Sequence, residues 1–78
     1  MIVLYTLENC KHSRNAVALL EKMGIKFKQV NVFEEHPSRL EMLKLTGSLD
    51  VPTLRFGNDY IQGFDSVKYE EFVQTHTV

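Results

Sequence analysis

Cys10 is the only cysteine in the chain, and it sits where chemistry would be placed. It stands in the run Tyr5-Thr6-Leu7-Glu8-Asn9-Cys10-Lys11-His12-Ser13-Arg14, which enters as an apolar strand, breaks at Glu8-Asn9 and continues as a helix-patterned segment. The first turn of a helix leaves N–H groups unpaired and carries the positive end of the macrodipole, so an anion is favoured just ahead of it. A thiolate is such an anion. Lys11 and Arg14 add positive charge within one turn, the electropositive setting in which thiol pKa values fall. Ser13 is either a plain helix-turn hydroxyl or one whose O–H reaches the Cys10 sulfur and favours its charged form. The bland alternative for Cys10 itself is a buried, inert side chain.

The remaining candidate groups offer less. His12 is two residues from Cys10, and helical neighbours at that spacing do not face each other, so a Cys-His nucleophile-base pair is not expected. His12, His36 and His76 are scattered, and with one cysteine they lack the spacing of a zinc site; no metal is expected. Lys11 and Arg14 are also ordinary solvated charges whose reach is limited by screening. Phe33, Phe56 and Tyr60 read as core or rim residues at strand ends.

The 78 residues make room for one core, expected as a single domain over 1–78 that buries roughly 60 to 65% of its unfolded surface. With 44% hydrophobic and 24% charged residues, nothing in the composition points to disorder. A lone cysteine excludes an internal disulfide, which favours a reducing compartment, and the expected location is cytoplasmic. The apolar run Ala16 to Leu20 is far too short to span a bilayer, so no membrane association is expected. A net charge of −1 argues against the broad positive surface that nucleic acid requires.

These groups need a scaffold, and the periodicity supplies one. Residues 2–6 read as a buried central strand. Over residues 11–23, Ala16, Leu19, Leu20 and Met23 mark one helical face, and Gly24 follows as a stop. Phe27 to Val32 reads as a second strand, parallel to the first because a helix joins them. A second helix starts near Pro37, with Ser38 and Glu41 spaced as a capping box; it carries Leu40, Met42, Leu43 and Leu45 and ends at Gly47. Pro52 to Phe56 and Tyr60 to Ile61 read as an antiparallel hairpin turning at Gly57-Asn58-Asp59. Val67, Tyr69, Phe72 and Val73 mark a closing helix capped by Asp65 or Ser66. The order is β-α-β-α-β-β-α, an α/β fold.

That order, the cysteine after the first strand, Val51-Pro52 opening the third and Gly63-Phe64-Asp65 after the hairpin together resemble the glutaredoxin family. The match runs over nearly the whole chain, which is also similar to the small redoxins that serve ribonucleotide reductase. The resemblance implies a thioredoxin-like four-stranded mixed sheet flanked by three helices, with cis-Pro52. It also implies glutathione as co-substrate, and as partners glutathionylated or disulfide-containing proteins, with the chain a monomer. The family's Cys-x-x-Cys stands here as Cys10-Lys11-His12-Ser13, a monothiol variant. Ser13 cannot resolve a mixed disulfide. What remains is the monothiol route, in which Cys10 takes glutathione from a glutathionylated thiol and a second glutathione releases it.

Carried over position by position, the resemblance makes Cys10 and Ser13 the catalytic pair and assigns Lys11, Arg39, Val51, Pro52, Phe64 and Asp65 to glutathione. Val51 offers its backbone to the tripeptide as a short antiparallel strand. Arg39, thirteen residues before Pro52, faces the glycine carboxylate. Phe64 and Asp65 hold the γ-glutamyl end. Two departures weaken that site: Leu7 stands where relatives carry Lys, and Asp50 adds a negative charge beside Val51. The competing readings are a non-catalytic carrier of a [2Fe–2S] cluster held with glutathione, and an electron-donor module docking one protein partner. Relatives that bridge such clusters have Gly and Phe where Lys11 and His12 stand.

Overall fold

A computed structural model describes residues 1–76, so the last two residues of the expected 1–78 unit lie outside it. The first strand, β1 (Ile2–Thr6), is central in a four-stranded sheet and is buried on both sides. Its side chains alternate between two cores, which is why its sequence is a continuous apolar run. Ile2 and Leu4 point to a cluster with Ala16, Leu20, Leu54, Tyr69 and Val73. Val3 and Tyr5 point the other way, to Val30, Val32 and Met42.

The expected order is observed: β1, α1 (Lys11–Lys22), β2 (Phe27–Asn31), α2 (His36–Thr46), β3 (Thr53–Phe56), β4 (Asp59–Gln62) and α3 (Ser66–His76). The strands lie in the order β2-β1-β3-β4, with β1 and β2 parallel and the two other pairings antiparallel. Helices α1 and α3 supply the first cluster and α2 the second, so helices cover both faces of a thioredoxin-like mixed sheet. Among the described residues no helix is long and apolar enough to cross a membrane.

Several element ends differ from the pattern read in the sequence. The second strand stops at Asn31, and Val32 instead donates its N–H to Thr6 O at 3.1 Å. The hairpin turn is two residues, Gly57-Asn58, because Asp59 already pairs with Phe56. Helix α2 begins at His36 with Glu35 as N-cap, so Ser38 lies inside the helix and no capping box forms. Glu41 binds Arg55 of β3 instead, at 2.6 Å. Of the four apolar residues expected to seat α2, Met42 alone is buried, while Leu40 and Leu43 are exposed. The helix ends at Gly47, whose φ of 76° suits glycine and whose N–H reaches Leu43 O at 2.8 Å.

Candidate functional site

Cys10 is positioned by a tight turn at the end of β1. The Cys10 N–H donates to Leu7 O at 3.3 Å, and Asn9 takes a φ of 63°, a left-handed conformation that Asn tolerates better than most residues. Cys10 is thereby the N-cap of α1, half-exposed and free of any disulfide. Its own backbone carbonyl accepts the Arg14 N–H at 3.0 Å, so the helix is anchored on the cysteine.

Ser13 sits one turn on and is 2% exposed. Together with Ala16 and Leu20 it forms the inward stripe of α1, so burial fixes where its hydroxyl points. Ser13 Oγ accepts the Leu7 N–H at 3.3 Å, leaving its own proton for the Cys10 sulfur. That hydroxyl is the main reason the Cys10 thiol is pulled below its ordinary pKa. The Ser13 backbone N–H adds to it, partial burial opposes it, and the His12 N–H and the Arg14 charge add smaller amounts in that order. Neither N–H group closes a capping hydrogen bond with the sulfur, so they act on its charge rather than fixing its place. Of the two cations expected to act, Arg14 contributes and Lys11 does not; Lys11 projects into solvent. Burial as an inert side chain is not what the structure gives Cys10.

Three segments meet at this end of the sheet. Tyr5 pairs with Thr53, which sets the end of β1 beside the start of β3 and brings Leu7 and Val51 onto the same apolar cluster. Pro52 is buried, and the Val51–Pro52 peptide is cis. Thr53 Oγ1 donates to Asp50 O at 2.7 Å, and Gly63 donates its N–H to Pro52 O at 2.8 Å. The second bond carries Phe64 and Asp65 to the same corner. Among the described residues, neither the N–H nor the C=O of Val51 has a partner, so a short strand has groups to pair with.

The Gly63 turn is held from behind. Tyr69, buried on α3, donates its hydroxyl to Gly63 O at 2.7 Å, and burial raises its pKa so that it stays a donor. Phe64 packs edge-on against the Tyr69 ring at 5.3 Å. Asp65 proves to be the N-cap of α3: its Oδ1 accepts the Lys68 N–H at 3.1 Å, and among the described residues nothing takes Oδ2. Arg39 lies on α2 with its guanidinium 2.8 Å from the His36 ring nitrogens. Among the described residues it makes no hydrogen bond or ion pair to the three converging segments.

A groove of about 690 Å³ runs beside this corner between α1 and β2, lined by Leu7, Ser13, Arg14, Gln29 and Glu34 among others. It touches Ser13 but not Cys10, Val51, Pro52 or Phe64, so it is separate from the residues expected to take glutathione. Among the described residues no three His, Cys, Asp or Glu side chains gather to hold a metal ion.

The sequence reading missed the grip of Leu7 and Tyr69. The Leu7 backbone leaves no trace in residue type. A signal for Ser13 was available, since 13, 16 and 20 share the inward spacing of α1.

A half-exposed cysteine at a helix N-terminus, opposite a proline-led strand, defines a thioredoxin-like thiol site. The chain belongs to the glutaredoxin family, whose model, described as Glutaredoxin, matches residues 2–61. Glutaredoxin 3 of Escherichia coli is 30% identical over 66 residues, covering 85% of this chain and 80% of that one. Among solved structures, the glutaredoxin-like protein NrdH-redoxin from Escherichia coli superposes with a TM-score of 0.75 at 24% identity, covering 90% of this chain and 91% of that one. A buckwheat glutaredoxin-glutathione complex superposes with a TM-score of 0.71 at 20% identity, covering 97% of this chain and 72% of that one.

Proposed function

We propose that the chain is a glutathione-dependent monothiol-disulfide oxidoreductase that removes glutathione from protein thiols. Cys10 thiolate attacks the glutathione sulfur of a mixed disulfide; the Cys10–S–glutathione bond forms as the protein thiolate leaves. A second glutathione thiolate attacks the bound glutathione sulfur, releasing glutathione disulfide and restoring Cys10 thiolate. Ser13 donates to the sulfur when it is the nucleophile and again when it is the leaving group. The observation that carries this reading is the half-exposed Cys10 at the N-cap of α1, with buried Ser13 one turn on and no second thiol in the chain.

Glutathione binds on this reading along Val51, with its backbone paired to the free N–H and C=O there. Phe64 and Asp65 hold the γ-glutamyl end, and Lys11 and Arg39 lie toward its carboxylates. Arg39 reaches the glycine carboxylate after leaving His36, to which it is bound in the free chain. The enzyme acts as a monomer in the cytoplasm on glutathionylated or disulfide-containing proteins.

Turnover of a glutathionylated peptide with glutathione, set against turnover with thioredoxin reductase, tests this. Glutathione is expected to sustain it and the reductase is not. Ser13→Cys sharpens the test, because positions 10 and 13 share a helical face and the new thiol can resolve a mixed disulfide. The variant should gain insulin reduction that the wild type lacks and lose part of its deglutathionylation rate, since its internal disulfide competes with glutathione. A variant that forms the bridge yet reduces nothing would count against catalysis and favour a carrier or docking role.

A further inference from the structure

The first turn of α2 holds a side-chain contact that its backbone sets up. Arg39 donates its N–H to Glu35 O at 3.0 Å, which closes the helix there and leaves residues 36 and 39 three apart on one face. One guanidinium nitrogen of Arg39, Nη2, lies 2.8 Å from both Nδ1 and Nε2 of His36. A neutral imidazole has one bare ring nitrogen, so either tautomer offers this donor an acceptor. An imidazolium has none, and it carries the same sign of charge as the guanidinium.

The elements around this pair carry charges of both signs. Glu34 and Glu35 stand on the link from β2, and they line the same groove as Glu8, Glu21 and Arg14. On the sheet, Lys28 shares the α2 side with Val30. Within α2, Glu41 is bound to Arg55, and Lys44 lies in the last turn. Among the described residues none of these charged side chains makes an ion pair or hydrogen bond with His36 or Arg39. The protonation state of the imidazole therefore decides where the Arg39 head rests.

We propose that His36 is a positioning residue for Arg39 and makes glutathione binding sensitive to pH. Its neutral ring holds the guanidinium on the first turn of α2, and its protonated ring releases it to the glycine carboxylate. The proposal rests on the assignment of Arg39 to glutathione made above. An imidazole ordinarily changes charge between pH 5 and 8. Toward the basic end of that range glutathione must break the His36 contact before it can use Arg39. Toward the acidic end the side chain is already free, so affinity rises as pH falls. By reciprocity, glutathione binding draws a proton onto His36.

Calorimetric titration with S-methylglutathione, whose sulfur is blocked against exchange, tests this at pH 7.5 and 5.5. Wild-type protein should bind roughly two- to ten-fold more tightly at the lower pH, the worth of one exposed hydrogen bond. His36→Ala has no ring to hold Arg39 and should bind more tightly than wild type at pH 7.5 by the same factor, with that pH dependence lost. His36→Gln keeps an acceptor that takes no proton, so it should match wild type at pH 7.5 and gain nothing at 5.5. Cys10 is common to all three forms, so the differences between them belong to His36. In the free protein the Arg39 Nε–Hε NMR signal should move as His36 titrates and stay still in His36→Gln. The same pH dependence in wild type and both variants overturns the proposal while leaving glutathione in place, and so does an Arg39 signal that ignores pH. Weaker binding by His36→Ala at pH 7.5 also overturns it, since the ring would then belong to the glutathione site itself. Absence of binding by every form at both pH values strikes the glutathione assignment, and the proposal with it.

Discussion

Ser13 is the residue whose role changes most once its surroundings are known. In the sequence it reads as the place of an absent resolving thiol. In the fold its buried hydroxyl accepts the Leu7 N–H at 3.3 Å and is the main cause that lowers the Cys10 pKa, so one group ties a backbone donor to the charge of the nucleophile. The lowered Cys10 pKa means that alkylation falls away only as pH drops through that lowered value, where the thiolate gains its proton. Its midpoint should lie below that of an ordinary free thiol. Ser13→Ala removes the largest cause, so alkylation by iodoacetamide, followed against pH, should show a midpoint shifted upward. An unchanged midpoint would move the cause to the helix N–H groups. Arg39→Ala is expected to raise the KM for glutathione and leave alkylation untouched. One charge-assisted hydrogen bond is worth about 1.5 to 3 kcal/mol, roughly ten- to a hundred-fold. A KM that stays put would remove Arg39 from the glutathione site.

At the scale of elements, the cap made by Asp65 and its proposed contact with glutathione can be separated. Its Oδ1 caps α3, and among the described residues its other oxygen has no partner. Asp65→Asn keeps an acceptor for the Lys68 N–H while removing the charge, so it should weaken glutathione with little loss of stability. Asp65→Ala should do both, and losing the cap costs about 0.5 to 2 kcal/mol in thermal or denaturant unfolding. If the two variants bind glutathione as the wild type does, Asp65 is a cap and nothing more. The elements themselves were legible because local rules govern them: the apolar run of β1, the glycine after each of α1 and α2, the hairpin glycine and the proline before β3. What misled was Glu41, three residues after Ser38, where local spacing spells a capping box. Its partner is Arg55, fourteen residues away, and only the packing of α2 on the sheet brings that pair together. The same holds at the site. Cys10, Val51 and Asp65 could be singled out by their neighbours in sequence, whereas the Tyr69 hydroxyl on Gly63 O could not, since nothing in a tyrosine names the carbonyl it will meet.

For the whole molecule, the uneven seating of the helices matters. Helix α1 buries Ser13, Ala16 and Leu20, α3 buries Tyr69 and Val73, and α2 buries Met42 alone. The polar tie of α2 to the sheet is Glu41 to Arg55, and Arg55 in turn donates to Tyr5 Oη at 2.9 Å and to Gly57 O at 2.6 Å. With so little anchoring, α2 should open as a unit well before the sheet does. Its backbone amides are expected to exchange with deuterated water faster than those in the interior turns of α1 and α3. Glu41→Ala should speed that exchange within α2 while leaving α1 unchanged. Equal protection of the three helices would show that α2 unfolds only with the rest. The helix held most loosely is also the one that carries Arg39, so glutathione bound through that side chain should slow exchange in α2 and leave α1 as it was.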